Sequence, residues 1–294
     1  MKILVTGGCG FIGSNLVDLL VEENHQENEV IVVDNLITGK EENCNELATY
    51  IIDDVGEIIS SNDLKDVDVI YHLAAMPRIQ PSFNEPLYTF NNNAQNTTLV
   101  CEFARKNNAK IVYAGSSTYY GGVYLNPYAF SKWVGEEVCK MYSQIYDVTT
   151  SIARFFNVYG PRHLKTGPYS TVVGIFEEQY KNNQPLTITG DGEQRRDFTH
   201  VSDICRGLIA MSKGDHKGEV FNLGTGTNYS INELAVMFDG APVKYIPKRP
   251  GEAQETLADI SKINGESGWV PKHNLQDYIK NEVKNEYPRV IVQS

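Results

Sequence analysis

Runs of β-branched and other apolar residues alternate, through the first half of the chain, with longer segments in which apolar residues recur at helical spacing. The apolar runs predict strands at residues 2–6, 29–34, 50–52, 67–73, 110–114 and 149–154. The helical segments are residues 12–23, 86–106 and 128–146. Strands and helices that alternate in this way form a parallel sheet covered on both faces, so the pattern predicts a doubly wound α/β fold.

The chain after about residue 156 has a less regular pattern. Helical periodicity returns near residues 171–182, 202–213 and 231–238, and short strands separate these segments. Ligands of open parallel sheets bind at the carboxyl ends of the strands, where a second lobe can close over them. We therefore predict a larger domain at residues 1–156 and a smaller lobe at residues 157–294, with the later chain crossing back into the first domain.

The composition narrows the classes of function. The chain has 294 residues, 41% of them hydrophobic, which is enough to bury a large core. Its net charge is −11 and no block of Lys or Arg stands out, so neither a nucleic acid nor an anionic membrane is expected as a partner. No apolar run approaches the roughly 20 residues that span a bilayer. The five cysteines include no CxxC pair, so we expect no metal site, no disulfide and a cytoplasmic location.

A glycine-rich turn joins the first predicted strand to the first predicted helix. Gly7, Gly10 and Gly13 have the spacing GxxGxxG, which allows a tight turn, a close approach of the backbone to a pyrophosphate, and close packing of helix on strand. The amino terminus of the helix then offers free N–H groups to the phosphates. A flexible turn is the alternative, but the strand before it and the helix after it favour a dinucleotide site.

An acidic residue, Asp34, ends the second predicted strand, 21 positions after Gly13. Its carboxylate can accept hydrogen bonds from an adenosine ribose. Residues 35–38 include no arginine for a 2′-phosphate, which favours NAD over NADP. The alternative is an ordinary turn acid at the end of a strand; the glycine loop makes ribose binding the favoured interpretation.

Tyr128 and Lys132 lie four residues apart on one face of a predicted helix, near its start. A lysine ammonium and the positive nicotinamide of NAD⁺ both favour a phenolate, so they would lower the pKa of the tyrosine and make it a usable base. Such a pair can also be an ordinary surface pair. The preceding strand favours catalysis, because the hydroxyl residues 116–118 follow it and would project above the carboxyl edge of the sheet.

Further motifs follow in order along nearly the whole chain. They are TGGCGFIGS from Thr6, VVDN from Val32, HLAA from His72, YAFSK from Tyr128, RFFNVYGPR from Arg154, GDGEQRRDFTHVSD from Gly190, NLGTG from Asn222, RPGE from Arg249 and LADISK from Leu257. Together they resemble the extended short-chain dehydrogenase/reductase family, and most closely its UDP-hexose 4-epimerases. The resemblance implies a Rossmann-type sheet with a smaller C-terminal α/β substrate lobe, NAD as the cofactor, and a homodimer formed through residues 86–106 and 128–146.

The resemblance also assigns cofactor contacts. Gly7, Gly10 and Gly13 match the positions that cradle the NAD pyrophosphate, Asp34 matches the ribose ligand, and Asp54 matches an acid near the adenine. The other positions that match the cofactor-binding set are Phe11, Ile12, Asn35, Val55, Leu73, Ala74, Ala75, Asn93, Tyr128 and Lys132.

The two residues that follow Ser116 distinguish among the reactions of this family. The resemblance implies that Ser116 hydrogen-bonds the reacting sugar hydroxyl and that Tyr128 accepts its proton. Dehydratases of the family carry an Asp-Glu pair at the next two positions, and decarboxylases a Glu at the second. Here these positions are Ser117 and Thr118, which have no carboxylate and would line the substrate site. The resemblance therefore favours 4-epimerisation through a transient 4-keto intermediate.

Several positions match the family's substrate contacts. Asn157, Arg196 and Arg249 match residues that hold the nucleotide diphosphate, and Glu252 matches a contact to the nucleotide ribose. For Arg196, an ion pair with its neighbour Asp197 is the alternative interpretation.

Thr256 matches a gatekeeper position of the 4-epimerases, and a small residue there implies that an N-acetyl group at C2 of the sugar is accepted. The alternative is an ordinary β-branched strand residue. The loop between Gly121 and Tyr128, which borders the sugar site, is shorter than the family pattern. We thus expect an isomerase that acts on a UDP-hexose or UDP-N-acetylhexosamine. A reductase or dehydratase of the same family and a non-catalytic NAD-binding scaffold are the alternatives.

Overall fold

The computed structural model describes residues 1–23, 28–61 and 64–287. Its strands are β1 (Lys2–Thr6), β2 (Glu29–Asp34), β3 (Thr49–Ile52), β4 (Val69–His72), β5 (Lys110–Ser116), β6 (Thr150–Phe155), β7 (Val158–Tyr159), β8 (Leu186–Thr189), β9 (Arg195–Asp197), β10 (Thr199–His200), β11 (Lys217–Leu223), β12 (Asn228–Ser230) and β13 (Val243–Ile246). Seven of them form one parallel sheet in the order β11-β6-β5-β4-β1-β2-β3. This sheet confirms the predicted Rossmann-type α/β fold.

Helices cover both faces of the sheet and form most of the C-terminal lobe. They are α1 (Phe11–Glu23), α2 (Val55–Ser61), α3 (Ile79–Asn84), α4 (Pro86–Phe90), α5 (Asn96–Asn107), α6 (Thr118–Gly121), α7 (Pro127–Tyr146), α8 (Val172–Lys181), α9 (Val201–Ser212), α10 (Ile231–Val236), α11 (Ser261–Ser267) and α12 (Leu275–Tyr278). A 3₁₀ turn lies at Glu41–Asn43, and π-helical segments lie at Asn91–Gln95 and Ile279–Lys284.

The central strands are apolar on both faces because each face packs against helices. In β1, Ile3 and Val5 join the core beneath α1 and α9, whereas Leu4 joins the core beneath α2, α5 and α7. Successive side chains of a strand point to opposite faces, so a continuous apolar run supplies both cores at once. The carboxyl ends of the strands are left as the edge at which a ligand can bind.

The C-terminal lobe has a core of its own. Phe176 of α8, Phe238 after α10 and Leu275 of α12 are buried together beside the short parallel pair of β8 and β13. Two elements that follow residue 157, α9 and β11, instead pack on the main sheet or extend it, and β11 pairs with β6. The later chain thus contributes both a strand and a helix to the layers of the main sheet.

The predicted strands and helices agree with the structure to within two residues at each end, except for the helix predicted at 86–106. That segment is helical from Pro86 to Asn107, but the π-helical segment Asn91–Gln95 interrupts it. The extra residue in a π-helical turn shifts the helix face. It places Asn93 in the interior, where its side chain bonds the backbone after β4.

The described residues contain no membrane-spanning helix, no candidate metal cluster and no disulfide. No helix in them is long and apolar enough to cross a bilayer. No cluster of three or more His, Cys, Asp or Glu side chains that could hold a metal ion occurs among them. All five cysteines lie in the described part of the chain, and all are free thiols.

Candidate active site

A cleft of about 440 Å³ lies at the carboxyl ends of the central strands, between the sheet and the C-terminal lobe. Its lining includes Gly7 after β1, Asp34 at the end of β2, Leu73 after β4 and Ser116 at the end of β5. Every site residue predicted from the sequence borders this cleft except Asn93. Side chains that are up to 249 residues apart in sequence therefore share one site.

The glycine loop is packed too closely for side chains. A Cβ on Gly13 would lie 2.1 Å from the carbonyl oxygen of Gly7, and one on Gly7 would lie 2.8 Å from the backbone nitrogen of Ala74. Gly7 also has a φ of +75°, a conformation that glycine adopts without strain. The 13-residue helix α1 begins at the end of this loop and directs its amino terminus at the cleft. The loop thus has the shape and polarity of a pyrophosphate cradle.

The Asp34 carboxylate is buried beside the glycine loop. It accepts hydrogen bonds from the backbone N–H groups of Cys9, at 2.9 Å, and Leu36, at 2.8 Å. Asp54 lies after the end of the adjacent strand, β3, and directly before α2. Its carboxylate accepts a hydrogen bond from the backbone N–H of Gly56 at 2.8 Å, in the first turn of that helix. Both carboxylates border the cleft next to Asn35, so this end is acidic and rich in hydrogen-bond acceptors.

Behind the cleft, a buried chain of hydrogen bonds fixes the end of β4. His72 bonds the hydroxyls of Thr6, at 2.7 Å, and Thr97, at 3.0 Å, and burial lowers its pKa to about 3, so the imidazole is neutral. Asn93 accepts from the backbone nitrogen of Met76 at 2.7 Å and donates to the Met76 carbonyl and to Ser131. Asn93 does not border the cleft, because its amide faces Met76 and Ser131 from the interior, and its contact with the cofactor stays a prediction.

Ser116 and Tyr128 meet at the centre of the cleft. The Ser116 hydroxyl accepts from the Thr118 hydroxyl at 2.8 Å and from the Thr118 backbone at 3.2 Å. Asn126 caps α7 by accepting from the backbone of Ala129 at 2.7 Å, which places Tyr128 in the first helical turn. Burial raises the pKa of Tyr128, and its side-chain hydrogen bond with Ser116 opposes that rise. Tyr128 is therefore half-buried at the wall of the cleft, with its hydroxyl bonded to that of Ser116.

Lys132 lies one helical turn further along α7 and is buried, with its ammonium 4.2 Å from the centre of the Tyr113 ring. Burial lowers the pKa of Lys132 to about 8, while the charge of Glu136 opposes this effect. The sequence led us to expect a lowered pKa for Tyr128, and for the chain alone this is wrong. Desolvation has the largest effect on the pKa of this hydroxyl and raises it, and the cation whose charge opposes this rise is Arg78.

The substrate side of the cleft is built from three separate segments. Asn157 donates from its amide to the Asp197 carbonyl at 2.9 Å and to the Thr256 hydroxyl at 3.3 Å. Arg196 is largely buried, and burial lowers its pKa, while Glu252 lies 3.9 Å from its guanidinium. Arg249 also borders the cleft but is exposed. Two guanidinium groups thus face one end of the cleft.

Asp197, the alternative partner of Arg196, does not form an ion pair with it in the part of the chain that the structure describes. The Asp197 carboxylate instead accepts from the backbone and hydroxyl of Thr225 and from the backbone nitrogens of Gly226 and Ala258, at 2.7 to 3.2 Å. These bonds tie the segment after β11 to β9. The Arg196 guanidinium instead donates from Nη1 to the carbonyls of Arg195, at 2.8 Å, and Gln254, at 3.4 Å, which leaves Nε and Nη2 as the groups that can donate to a ligand in the cleft.

Comparison with known proteins shows where this architecture belongs. The profile of the NAD dependent epimerase/dehydratase family matches residues 3–224. The chain belongs to this family. A Methanocaldococcus jannaschii protein named as a proposed UDP-glucose 4-epimerase is 37% identical, over 96% of this chain and 97% of that protein. UDP-glucuronic acid decarboxylase 1 of Arabidopsis thaliana is 34% identical, over 99% of this chain and 71% of that protein.

Solved structures of family members share the whole fold. The UDP-glucose 4-epimerase of Thermotoga maritima, solved with UDP-glucose, has a TM-score of 0.89 and 32% identity, over 97% of this chain and 98% of that one. The UDP-N-acetylglucosamine 4-epimerase of Methanobrevibacter ruminantium has a TM-score of 0.84 and 32% identity, over 97% and 96% of the two chains. The family therefore comprises epimerases together with decarboxylases and dehydratases of nucleotide sugars.

Proteins of this epimerase/dehydratase family depend on NAD, and the geometry fits that cofactor. The glycine cradle has room for a pyrophosphate where a Cβ would clash, and Asp34 lies where a ribose would follow. No arginine occupies residues 35–38. These features agree with the predicted preference for NAD.

One charged residue of the cleft was missed by the sequence analysis. Arg78 lies on the segment after β4 and donates from Nε to the Tyr169 carbonyl at 3.0 Å. Its backbone has a φ of +83° and a ψ of 142°, a region that residues other than glycine rarely occupy and that costs of order 1–3 kcal/mol. The available signal was a single arginine directly after the apolar HLAAMP segment, at the carboxyl end of a predicted strand.

Proposed function

We propose that this family member is an NAD-dependent 4-epimerase of a UDP-linked hexose or N-acetylhexosamine. The observation that carries the proposal is the meeting of Ser116, Tyr128 and Lys132 in one cleft whose neighbouring positions, Ser117 and Thr118, are hydroxyl residues. Oxidation and re-reduction at one carbon need a proton acceptor and a hydroxyl partner at that carbon. They need no further acid for elimination.

Each of these residues has a distinct task. Ser116 orients the C4 hydroxyl of the sugar, and Tyr128, hydrogen-bonded to Ser116, accepts its proton. The ammonium of Lys132 stabilises the resulting phenolate by its charge. Bound NAD supplies a reversible hydride acceptor. Once the 4-keto sugar has turned its other face, the hydride that bound NAD would hold returns to C4 and Tyr128 returns the proton to the oxygen, which gives the epimer.

The substrate end of the cleft suits a nucleoside diphosphate. Arg196 and Arg249 reach it from separate segments and can make paired hydrogen bonds to phosphate oxygens. Glu252 lies beside Arg196 and can accept from the nucleotide ribose. The relatives named for UDP-sugars support uridine as the base. Thr256 supports acceptance of an N-acetyl group, since its side chain is small and borders the cleft.

A dehydratase or decarboxylase is the competing proposal within the family. Among the described residues that border the cleft, the carboxylates are Asp34, Asp54 and Glu252. The first two lie at the cofactor end, and Glu252 lies beside Arg196. None follows Ser116 along the chain, where an acid for elimination is expected. A non-catalytic scaffold is disfavoured because NAD binding alone needs neither Ser116 nor Tyr128.

The test uses purified protein loaded with NAD and UDP-sugars deuterated at C4. An epimerase converts UDP-glucose or UDP-N-acetylglucosamine to its 4-epimer, and NMR finds the deuterium still at C4 of the product without added cofactor. A reductase turns over only with added NAD(P)H. A 4-keto-6-deoxy product or a released pentose would replace the proposal with dehydration or decarboxylation.

The predicted homodimer also stays a proposal. Apolar side chains lie exposed along α4 and α7, among them Leu87 at 73% exposure and Ile145 at 66%. Two copies that paired these helices would cover them. Light scattering should give twice the 32.9 kDa mass of the chain, and Ile145→Glu should lower it. We likewise propose that residues 1–156 bind NAD and residues 157–294 bind the nucleotide sugar.

A further inference from the structure

Two thiols lie in contact behind the glycine loop. The Sγ atoms of Cys9 and Cys44 are 3.6 Å apart, and neither residue borders the cleft. A disulfide bond is about 2.05 Å long, so the two sulfurs would need to approach each other by only about 1.5 Å. Cys9 belongs to the glycine loop itself, whereas Cys44 directly follows the 3₁₀ turn Glu41–Asn43. A bond between them would therefore cross-link the glycine loop to a separate segment of the chain.

The two thiols differ in their access to solvent. Cys9 is fully buried, and burial together with the charge of Asp34 raises the pKa of its thiol, so this thiol keeps its proton. Cys44 is half-buried, so part of it is open to solvent. Oxidation of a cysteine requires both a thiolate and access to the oxidant. Cys44 is therefore the thiol that an oxidant meets first, and Cys9 is placed to react with the oxidised form.

A second pair of thiols lacks this access. The Sγ atoms of Cys101 and Cys139 are 3.8 Å apart, but both residues are fully buried. Cys205 is fully buried as well, and its thiol donates to the Ile12 carbonyl at 3.7 Å. Proximity to another thiol and contact with solvent therefore occur together at one cysteine of the five, Cys44.

The segment that ends at Cys44 forms one wall of the cleft. We call residues 35–44 the wall segment, and positions 35, 37 and 38 border the end of the cleft where the adenosine is expected. The backbone N–H of Lys40 and the side-chain amide of Asn43 both donate to the Cys9 carbonyl, at 3.0 and 2.9 Å. In the thiol form, these hydrogen bonds hold the wall segment on the glycine loop, and they can open and reform.

The glycine loop has no space in which to move toward Cys44. A Cβ on Gly8, directly before Cys9, would lie 2.5 Å from the side chain of Val32. The wall segment lies at the surface instead, where residues 40–42 are exposed. Closing a disulfide would therefore draw the wall segment onto the glycine loop, and the cleft would keep its shape on the side of the loop.

We propose that Cys9 and Cys44 form a redox site, which a hydroperoxide closes reversibly to a disulfide that holds the wall segment over bound NAD. The Cys44 thiolate attacks a peroxide oxygen and the O–O bond breaks. The hydroperoxide is reduced to an alcohol, or hydrogen peroxide to water, with a proton from solvent, and Cys44 becomes a sulfenic acid. The Cys9 sulfur then attacks the Cys44 sulfur, and the Cys9 proton leaves with the sulfenic hydroxyl as water.

The bond should act on the rate at which NAD leaves the site. Departure of the adenosine past positions 37 and 38 requires the wall segment to move away from the glycine loop, and a cross-link removes most of those open conformations. We therefore expect the disulfide to slow NAD release by about 5-fold or more. A dithiol reductant reopens the bond by thiol–disulfide exchange and should restore the original rate. In a reducing compartment the pair stays as thiols until a hydroperoxide is present.

The test follows the bond and the cofactor, so it does not depend on turnover. Protein loaded with radiolabelled NAD is treated with hydrogen peroxide, and the peroxide is then removed. Mass spectrometry of the unreduced digest identifies the disulfides, and a chase with excess unlabelled NAD measures release. Wild type should show a Cys9–Cys44 bond and slower release, both reversed by dithiothreitol. Cys44→Ser should form no such bond and should release NAD at the untreated rate with or without peroxide.

The matched control is Cys139→Ala, which removes the other pair of close thiols and should respond to peroxide as wild type does. Absence of the Cys9–Cys44 bond from treated wild type overturns the inference, as does a bond that leaves NAD release unchanged or faster. Slower release from treated Cys44→Ser also overturns it, since another residue would then carry the effect. None of these outcomes depends on epimerisation, which the fate of deuterium at C4 tests separately.

Discussion

The Asp34 carboxylate accepts a hydrogen bond from the backbone N–H of Cys9 at 2.9 Å, so the end of the second strand is tied directly to the glycine loop. The same carboxylate accepts from Leu36 on its other oxygen. Asp34 therefore shapes the glycine loop, in addition to its proposed contact with the adenosine ribose. A change at this residue acts on two parts of the cofactor at once.

Asp34→Ala should weaken NAD binding by about 10- to 100-fold and reduce discrimination against NADP. The carboxylate accepts from the ribose hydroxyls and repels a 2′-phosphate, and its loss leaves the Cys9 and Leu36 N–H groups unpaired. Equilibrium dialysis with both dinucleotides measures the two affinities. Asp34→Asn is the matched control: it keeps one acceptor and the shape of the side chain, so it should affect the NADP ratio more than the fold. Unchanged affinities in Asp34→Ala would refute the assignment.

Tyr128→Phe should fold, bind NAD within about 3-fold of wild type and lose at least about 100-fold in turnover, because it removes only the hydroxyl that accepts the proton. Initial rates with UDP-sugar and cofactor content from absorbance measure these effects. Tyr124→Phe is the control, since Tyr124 is 81% exposed and its ring contacts Phe130 and Trp133 outside the cleft. Near wild-type turnover in Tyr128→Phe would show that another group is the base.

Lys132→Met should abolish turnover yet stabilise the cofactor-free protein at pH 7. The folded-state pKa of about 8 lies below the ordinary value of 10.5, so below pH 8 both states bind the proton and the folded state bears the full cost of burying it. The shift corresponds to about 3 kcal/mol, so we expect a gain of about 1–3 kcal/mol.

The gain should shrink as the pH rises from 8 to 10.5, because the folded wild type loses its proton while the unfolded chain keeps it. Urea unfolding at pH 7 and pH 9.5 measures both values. Lys140→Met, which removes a surface lysine paired with Glu137, should leave stability nearly unchanged at both pH values. A less stable Lys132→Met at pH 7 would mean that the buried charge stabilises the fold.

Thr256→Tyr should abolish turnover of the N-acetylated pair of sugars and spare the plain hexoses. Thr256 borders the cleft, and its backbone is held by hydrogen bonds to Arg195 and Asp197. The backbone therefore cannot shift to move a tyrosine ring out of the cleft. Steady-state kinetics on both pairs measure the selectivity. Thr256→Ser keeps the hydroxyl that accepts from Asn157 and should retain both activities. Equal losses on both pairs in Thr256→Tyr would place the gate elsewhere.

Much of the site could be predicted from the sequence because its chemistry is local. The glycine spacing, the acid at the end of the second strand and the Tyr128–Lys132 pair each depend on one turn, one strand end or one helix face. The alternation of apolar strands with amphipathic helices predicts the parallel sheet for the same reason. The carboxyl ends of parallel strands lie at one edge of the sheet. Separate motifs that each follow a strand could therefore be assigned to one cleft.

Only the tertiary structure decided the properties that depend on burial and on distant neighbours. The pKa of Tyr128 rises because half-burial at the wall of the cleft partly removes its hydroxyl from water, which no spacing of residues records. The Asp197 carboxylate accepts hydrogen bonds from Thr225 and Ala258, so it does not pair with its neighbour Arg196, whose guanidinium turns to other carbonyls and to the cleft. Asn93 turns inward through a π-helical segment, and Arg78 borders the same cleft as Tyr128, which lies 50 residues later in the sequence. These outcomes follow from long-range packing, because desolvation and hydrogen-bond partners are set by whichever segments the fold brings together.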